Sequence, residues 1–507
     1  MPARTRSWRG FTALALALPL ALSACGGAAD AGAGGAATLT WASSAFPTHW
    51  DPVVSGSGGQ FRALALVYAS LTRTDAKGNP VPDLAESWKY NKTGDEIAFH
   101  LRSGATFSDG TPVDSAAVQA AIERARTQQN SALFGDLTSI KSVTTSGDLD
   151  VVVHLTQTDY QVPLLLGERV LQIASPKAAA DPATLDRNPV GAGPFIVTQL
   201  IPGTKAVLKK NPNYWDAKDI HLDNVELVSA PDASTVVAGL QTGVYNFADV
   251  APSQAKAAKA AGLDVFVQPG FNAANISINV NKAPFTDPRV VDVVRYAVNR
   301  QEFVDKLTFG YGQATNQPFP PGYVAYDPQS ANQYPYDPAK ARQLLSQAGI
   351  KPNQISLDLV IPDAQPASEI VQSQLAAVGI KVNIKIDKNW ATPFFAKQLV
   401  FSLYGTTGRD SALQTLTAHF GPNGPLNLST PYEPSGFEAA VAKVRRTPLD
   451  SPDYPVLLEA ATRAGLQTRA LVFTYSSPNL FAKSRSVSAL PGNPGHVDWT
   501  GVTIGAE

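Results

Sequence analysis

Six histidines, one cysteine and a sparse set of carboxylates are the groups in this chain that could ligate a metal, attack a carbon or move a proton. The histidines stand at His49, His100, His154, His221, His419 and His496, and none has the i, i+4 companion of a zinc-binding helix or a neighbouring cysteine. Neither a metal centre nor any other cofactor is expected. The sequence contains no GxxxxGK[ST] phosphate loop, no GxGxxG after a strand and no GxSxG nucleophile elbow. Its nearest glycine-rich approach, Ser55-Gly56-Ser57-Gly58-Gly59, lacks the lysine of a phosphate cradle and reads as a ligand-facing loop or a plain connector. Acidic pairs such as Asp287 with Glu302, or Glu433 with Glu438, could do acid–base work only if the fold set them face to face, and such pairs are commonly solvated surface. With no nucleophile, base and orienting group at a recognisable spacing, the chain is not read as an enzyme.

The elements that position side chains are easier to read. Leading into and through the start of Phe99–Val118, Ile97, Phe99 and Leu101 alternate with Ala98, His100 and Arg102 as on a half-buried strand. Asp109-Gly110 then offers the positive φ of a tight turn, and Asp114 is placed to cap a helix over Ser115–Thr127 whose Ala117, Val118, Ala121, Ile122 and Ala125 line one face. A calcium or general-acid loop would need more convergent carboxylates than Asp109 and Asp114, so this stretch is scaffold. Ala37–Ser43 reads as a strand and Phe61–Ser70 as a helix. In "YDPAKARQLLSQAGI", Asp337 is the N-cap, Pro338 the first helical residue and Gly349 the C-terminal stop. A strand "ISLDLVI", a helix Ser368–Val378 and a strand "IKVNIKI" with Val382, Ile384 and Ile386 on one face follow, which is the succession of an α/β lobe.

At 507 residues the chain needs two or three domains. Only 16% of residues are charged and the net charge is −1, so the basic excess that phosphate binding demands is missing and no nucleic-acid partner is expected. Arg4, Arg6 and Arg9 precede the apolar run Phe11–Leu22, which is too short to span a bilayer and matches the core of a signal peptide. Leu22-Ser23-Ala24-Cys25 follows and resembles a bacterial lipobox, in which Cys25 becomes the lipidated N-terminus; the alternative is an ordinary signal peptide with a chance cysteine. A Gly/Ala-rich tether closes this region.

Four stretches together carry a resemblance: "VPDLAESW" with "FHLRSGATFSDGTPVDSAAV", "NPVGAGPF" leading to "LKKNPNYW", "APFTDPRVVDVVRYAVNR", and "YDPAKARQLLSQAGI". In order and spacing they resemble the extracytoplasmic solute-binding proteins of the peptide/nickel class of ABC importers, family 5, over about residues 38 to 400. The resemblance implies an α/β fold of the two-lobed periplasmic-binding-protein type (class II, cluster C) with an extra subdomain in the first lobe. Residues 1–24 are then signal peptide and 25–37 the tether; 38–60, 170–270 and 477–507 form lobe I; 61–169 form its extra subdomain; 271–476 form lobe II. The implied function is a monomeric receptor, lipid-anchored at Cys25 to the outer face of the cell membrane, that captures a small solute between closing lobes and hands it to an ABC permease. A short peptide is the first reading of that solute; an oligosaccharide, opine-like conjugate or other metabolite is the alternative, and a nickel chelate comes third.

The resemblance also implies a cleft wall at Ser55, Gly56, Ser57 and Gly58 in lobe I, and another in lobe II at Asn275, Trp390 and the segment Leu403–Ser411, with Tyr404, Thr406, Thr407, Arg409 and Asp410. Trp390 has the alternative of a core aromatic. Peptide binders of this family carry Trp-x-x-Asp-Tyr in the last segment, the aspartate holding the peptide amine. Here the tryptophan is missing, Asp410 is displaced, and Arg409 stands beside or in the place of the acid, where a cation would favour an anionic solute unless it points to solvent.

Overall fold

Two long strands, Asp264–Ile278 and Leu471–Lys483, run antiparallel through the molecule and join its two halves. The computed structural model describes residues 36–55, 59–75, 78–168, 170–230, 232–406, 411–490 and 498–505, with backbone only at 269–271, and Ala37–Glu507 form one compact unit. The strand pair is in register from Asp264 opposite Lys483 to Gln268 opposite Asn479, shifts, runs from Asn272 opposite Ser477 to Ala274 opposite Tyr475, and after a second, one-residue shift continues from Asn275 opposite Phe473 to Ser277 opposite Leu471.

Before the shift, the sheet continues from Leu471–Lys483 through Phe247–Asp249, Thr38–Ser43, Asn224–Ser229, Lys205–Lys210 and Phe195–Ile201. Beyond it, Asp264–Ile278 is followed by Phe401–Thr406, Ile355–Ile361 and Ile380–Ile386, and the short strand Gln313–Ala314 completes an eleven-stranded mixed sheet. Thr38–Ser43 is parallel to both its neighbours, and Ile355–Ile361 is parallel to both of its own, the pairing that helical crossovers allow. The expected α/β architecture is therefore what the chain adopts.

Each half has its own core. In the first, Trp41, Phe247, Phe481 and Trp499 interlock, with Phe481 stacked on Phe247 at 5.3 Å. In the second, the helix Pro288–Ala297 lays Val290, Val291 and Val294 against Leu359, Ile380 and Phe401. A third core lies under a separate antiparallel sheet of Ala85–Tyr90, Glu96–Leu101, Asp150–Leu155 and Ile140–Ser146, covered by the helix Ser115–Thr127.

The turn at Asp109-Gly110 behaves as its residues dictate. Gly110 has φ +82°, Asp109 accepts from the backbone and hydroxyl of Thr111, and Asp114 caps its helix by accepting from the Ala117 amide at 2.8 Å. Asp109 also accepts from Ser175 Oγ at 2.8 Å, so the turn is pinned to a distant segment as well. Asp337 and Pro338 start their helix as expected.

Three expectations change in detail. The helix expected over Phe61–Ser70 stops at Leu64, because the backbone of residues 66–69 is drawn into other pairings: Val67 O accepts from Gly193, Leu66 O from Phe195, and Ala69 bridges Ile173. The helix expected over Ser368–Val378 runs from Pro366 to Ala376, since Pro366 supplies a ready first helical position. Val382 of the strand Ile380–Ile386 is buried, but Ile386 is 56% exposed because the strand is the outermost of the sheet and its end projects past the core.

Candidate ligand cleft

The strand Phe401–Thr406 sets one wall by simple alternation. Phe401 and Leu403 join Ile276 and Ile278 in the core of the second half, so Ser402, Tyr404 and Thr406 face the other way, alongside Asn275 on the partner strand. Asn275 is 2% exposed; its Oδ1 accepts from Ser277 Oγ at 2.8 Å, while its Nδ2 is buried with no acceptor. Thr406, in the diagonal position, is 5% exposed and its Oγ1 has no partner. The helix Ala412–Phe420, capped by Ser411, follows, and both amide atoms of Gln414 in its first turn are sealed and unpartnered. Buried polar atoms are almost always hydrogen-bonded, so this grouping marks where a polar molecule would complete the set.

The separate subdomain closes over this wall. Gln161 Oε1 accepts from Tyr454 Oη at 3.0 Å and from Ser411 Oγ at 3.3 Å, and the Tyr160 amide donates to Arg445 O at 2.9 Å. Gln161 Nε2 is buried without an acceptor, another open valence on the same side. Behind the latch, Asp159 accepts from the Gln161 amide at 3.0 Å, and burial raises its carboxyl above the ordinary range although the Arg445 charge and that amide pull it down. Burial likewise pushes the Tyr454 phenol up, so it is a neutral donor at any working pH. Gly78 lies against the Tyr323 ring, where an added Cβ would come within 3.3 Å, a second approach between the two sides.

Trp390 precedes the short helix Ala391–Phe395 and is 8% exposed. Its indole stacks on Phe394 at 4.5 Å and on Tyr404 at 5.7 Å, and its Nε1 donates to Ser402 Oγ at 2.7 Å, which in turn donates to Val360 O. The indole N–H is therefore engaged inside the protein, and Tyr404, half-buried, is the outermost ring of that stack. Ser55 donates to Gln60 Oε1 at 3.2 Å and its amide to Asp51 O. Gly56, Ser57, Gly58, Thr407, Arg409, Asp410 and Cys25 lie outside the described residues. The structure thus brings Asn275, Tyr404 and Thr406 together on one wall.

The remaining candidate chemistry is dispersed. His49 pairs with Asp186, His100 with Asp150 and His154 with Glu96, while His419 Nδ1 meets Thr415 O. Among the described residues no group of three His, Cys, Asp or Glu could hold a metal ion. Asp287 caps a helix and Glu302 pairs with Lys306, so these two do not form a dyad; Glu433 is raised by burial and by Glu438. Gln161, Gln414 and Arg62 were not singled out by the sequence. Arg62 alone left a trace there, as a charge inside the apolar run Phe61–Ser70.

The family model described as bacterial extracellular solute-binding proteins, family 5 middle, matches residues 79–425. The heme-binding protein A of Haemophilus influenzae is 28% identical over 391 residues, 70% of this chain and 71% of that protein. Di/tripeptide-binding protein 3 of Pseudomonas aeruginosa is 28% identical over 384 residues, 69% and 72% of the two chains. Among solved structures, the periplasmic binding protein DppA of Helicobacter pylori in complex with the peptide STSA superposes with TM-score 0.81 at 22% identity over 92% of this chain and 98% of that one. The binding protein AgaA of A. tumefaciens R10 with agropinic acid gives 0.80 at 25% identity over 93% and 99%.

Proposed function

Since the chain belongs to the family 5 bacterial extracellular solute-binding proteins, we propose that it is the receptor of an ABC importer for a short peptide, held between its two halves and released to a membrane permease. The observation that carries this reading is the set of buried, unpartnered polar atoms on Asn275, Thr406, Gln414 and Gln161, contributed from both sides of one closed junction. An extended peptide offers alternating donors and acceptors that such a set can engage, and a closing cleft gains affinity through contacts made only when shut. The lobes proposed are residues 38–60, 170–270 and 477–507 for the first, with 61–169 as its subdomain, and 271–476 for the second. They meet near the register shift between Gln268 and Asn272, which serves as the hinge.

A second reading keeps the receptor role and replaces the peptide by an opine-like or other acidic solute; the likeness to the agropinic acid complex of AgaA supports it. In both readings the protein is a monomer exported by its N-terminal segment and tethered through a lipid on Cys25, with no catalytic step of its own.

Native mass spectrometry of the protein purified gently from cells grown in rich medium tests the assignment. A ladder of added masses fitting short peptides is the expected result. A single non-peptide mass moves the assignment to the second reading, and a protein that takes up neither peptides nor acidic conjugates when these are supplied overturns both. Loss of lipid-sized mass from the membrane-bound form on Cys25→Ser is the expected result for the anchor.

A further inference from the structure

Arg62 is 9% exposed, yet among the described residues no hydrogen bond or ion pair reaches its guanidinium, and its Nε and Nη1 are sealed without an acceptor. Among the described residues, Arg295 and Arg300 are buried to a similar degree and both donate to protein acceptors. Arg295 bonds Asp292 and Tyr334, and Arg300 bonds the carbonyls of Phe473 and Tyr334. The Arg62 guanidinium lies over the face of Phe481, its carbon 5.3 Å from the ring centre. A desolvated cation without a counter-charge is costly, so an arrangement of this kind persists where an anion completes it.

The surroundings fit that use. Phe481 lies two residues from Asn479, and Phe266 two from Gln268, so alternation puts these amides on the face over which Arg62 lies, at the point where the strand register shifts between the two halves. Asn272 Nδ2 donates to Asn479 Oδ1 at 3.1 Å across the same shift. The acid nearest along the sheet is Asp249, opposite Phe481; its Oδ2 is held by Ser43 Oγ, Ser44 Oγ and the Ser44 amide, and it makes no ion pair with Arg62. Near the register shift this sheet face thus carries a guanidinium without an ion pair, beside the amides of Gln268 and Asn479 and near an Asp249 carboxylate whose Oδ1 is buried without a partner.

We propose that Arg62 binds a carboxylate of the captured solute at the hinge, making this a receptor for carboxylate-bearing molecules. A planar guanidinium takes a carboxylate through two parallel N–H bonds, a geometry no amide or lysine reproduces. The chemistry is shared by a free peptide C-terminus and by an acidic conjugate, and the naming of the solute rests on the receptor reading above.

Two measurements on the full chain separate the two questions. In the first, thermal unfolding is followed against acetate, with chloride and acetamide at matched concentration as controls. Acetate should raise the unfolding midpoint of the wild type and not of Arg62→Gln, while Arg62→Lys keeps part of the response. Equal acetate responses in wild type and Arg62→Gln, or none in the wild type, overturn the role of Arg62. In the second, binding of short peptides as free acids is compared with that of their C-terminal amides and of agropinic acid. A preference for the acid of about tenfold or more that vanishes in Arg62→Gln supports a peptide carboxylate, and binding of agropinic acid alone, lost in the variant, supports the acidic conjugate. A preference unchanged by Arg62→Gln overturns the proposal. If acetate acts through Arg62 but no peptide or conjugate binds, Arg62 stands and the receptor's assigned solute falls.

Discussion

Removing one hydroxyl from the latch between the subdomain and the second half should weaken ligand binding without weakening the fold. In Tyr454→Phe, Gln161 Oε1 loses the 3.0 Å bond from Tyr454 and keeps only the longer one from Ser411 at 3.3 Å. A neutral buried hydrogen bond contributes about 0.5–1.5 kcal/mol net, so the closed form loses that much relative to an open form in which water serves both groups. If the ligand is held only by the closed form, Kd rises by about 2- to 12-fold. Gln161→Ala goes further, since it strands the hydroxyls of Tyr454 and Ser411 together in a buried junction; about 2–3 kcal/mol, or a 30- to 150-fold loss, is expected. Because both variants act on one contact, the double variant should be no weaker than Gln161→Ala alone. Calorimetric titration with the co-purified solute gives the affinities, and small-angle scattering reports the accompanying shift toward an open, larger particle. An unchanged Kd for Tyr454→Phe together with a lowered unfolding midpoint, or two losses that simply add, would refute the latch and make Gln161 a structural residue only.

The pH dependence has a definite sign. Asp159 has a raised carboxyl pKa in the folded protein, so the folded form holds that proton more tightly than the unfolded chain, and the group's contribution becomes more stabilising as pH falls from its folded pKa toward its ordinary value. Unfolding curves between pH 7 and pH 4 should show this as a component absent from Asp159→Asn. Asp114→Ala should cost about 1 kcal/mol in denaturant unfolding through loss of the helix cap, with ligand affinity unaltered. Gly193→Ala places a Cβ 2.5 Å from Val67 C and 2.7 Å from the Tyr68 amide nitrogen; neither backbone atom can yield, so a loss of about 1–3 kcal/mol or more is expected, measured as a lower unfolding midpoint. Trp390→Phe removes the bond to Ser402 while retaining the ring stack, and about 1 kcal/mol of stability should go with it.

The parts of the fold that could be read from the sequence are those whose instructions are local. Asp114 and Asp337 cap their helices, and Gly110 turns with positive φ, because each acts on backbone within a few residues of itself. Phe61–Ser70 misled because its apolar spacing suits a helix, whereas the helix end at Leu64 is decided by Gly193 and Phe195, more than a hundred residues away. The site divides in the same way. Asn275, Tyr404 and Thr406 could be named from segments that resemble a family, and alternation then put them on one wall. Gln161 and Gln414 carry no local mark: their meaning comes from a contact across the junction and from atoms left without partners, which no spacing encodes. Arg62 was visible as a charge in an apolar run, but only its burial with Nε and Nη1 left without an acceptor distinguishes it from an ordinary surface arginine.

The seat of Leu471–Lys483 in the sheet also fixes the order in which the chain can assemble. This strand lies between Asp264–Ile278 and Phe247–Asp249, yet it is made more than 190 residues after either, close to the C-terminus. The subdomain sheet, by contrast, draws all four strands from residues 85–155 and can form as soon as they are available. As the chain emerges from N- to C-terminus the larger sheet must therefore wait with a slot open at its centre, two strand edges facing each other and unpaired, the kind of surface that recruits other chains. A chain shortened by even its last few dozen residues would keep that slot permanently, so the C-terminal region is the part whose loss should convert this protein from a folded receptor into an aggregating one.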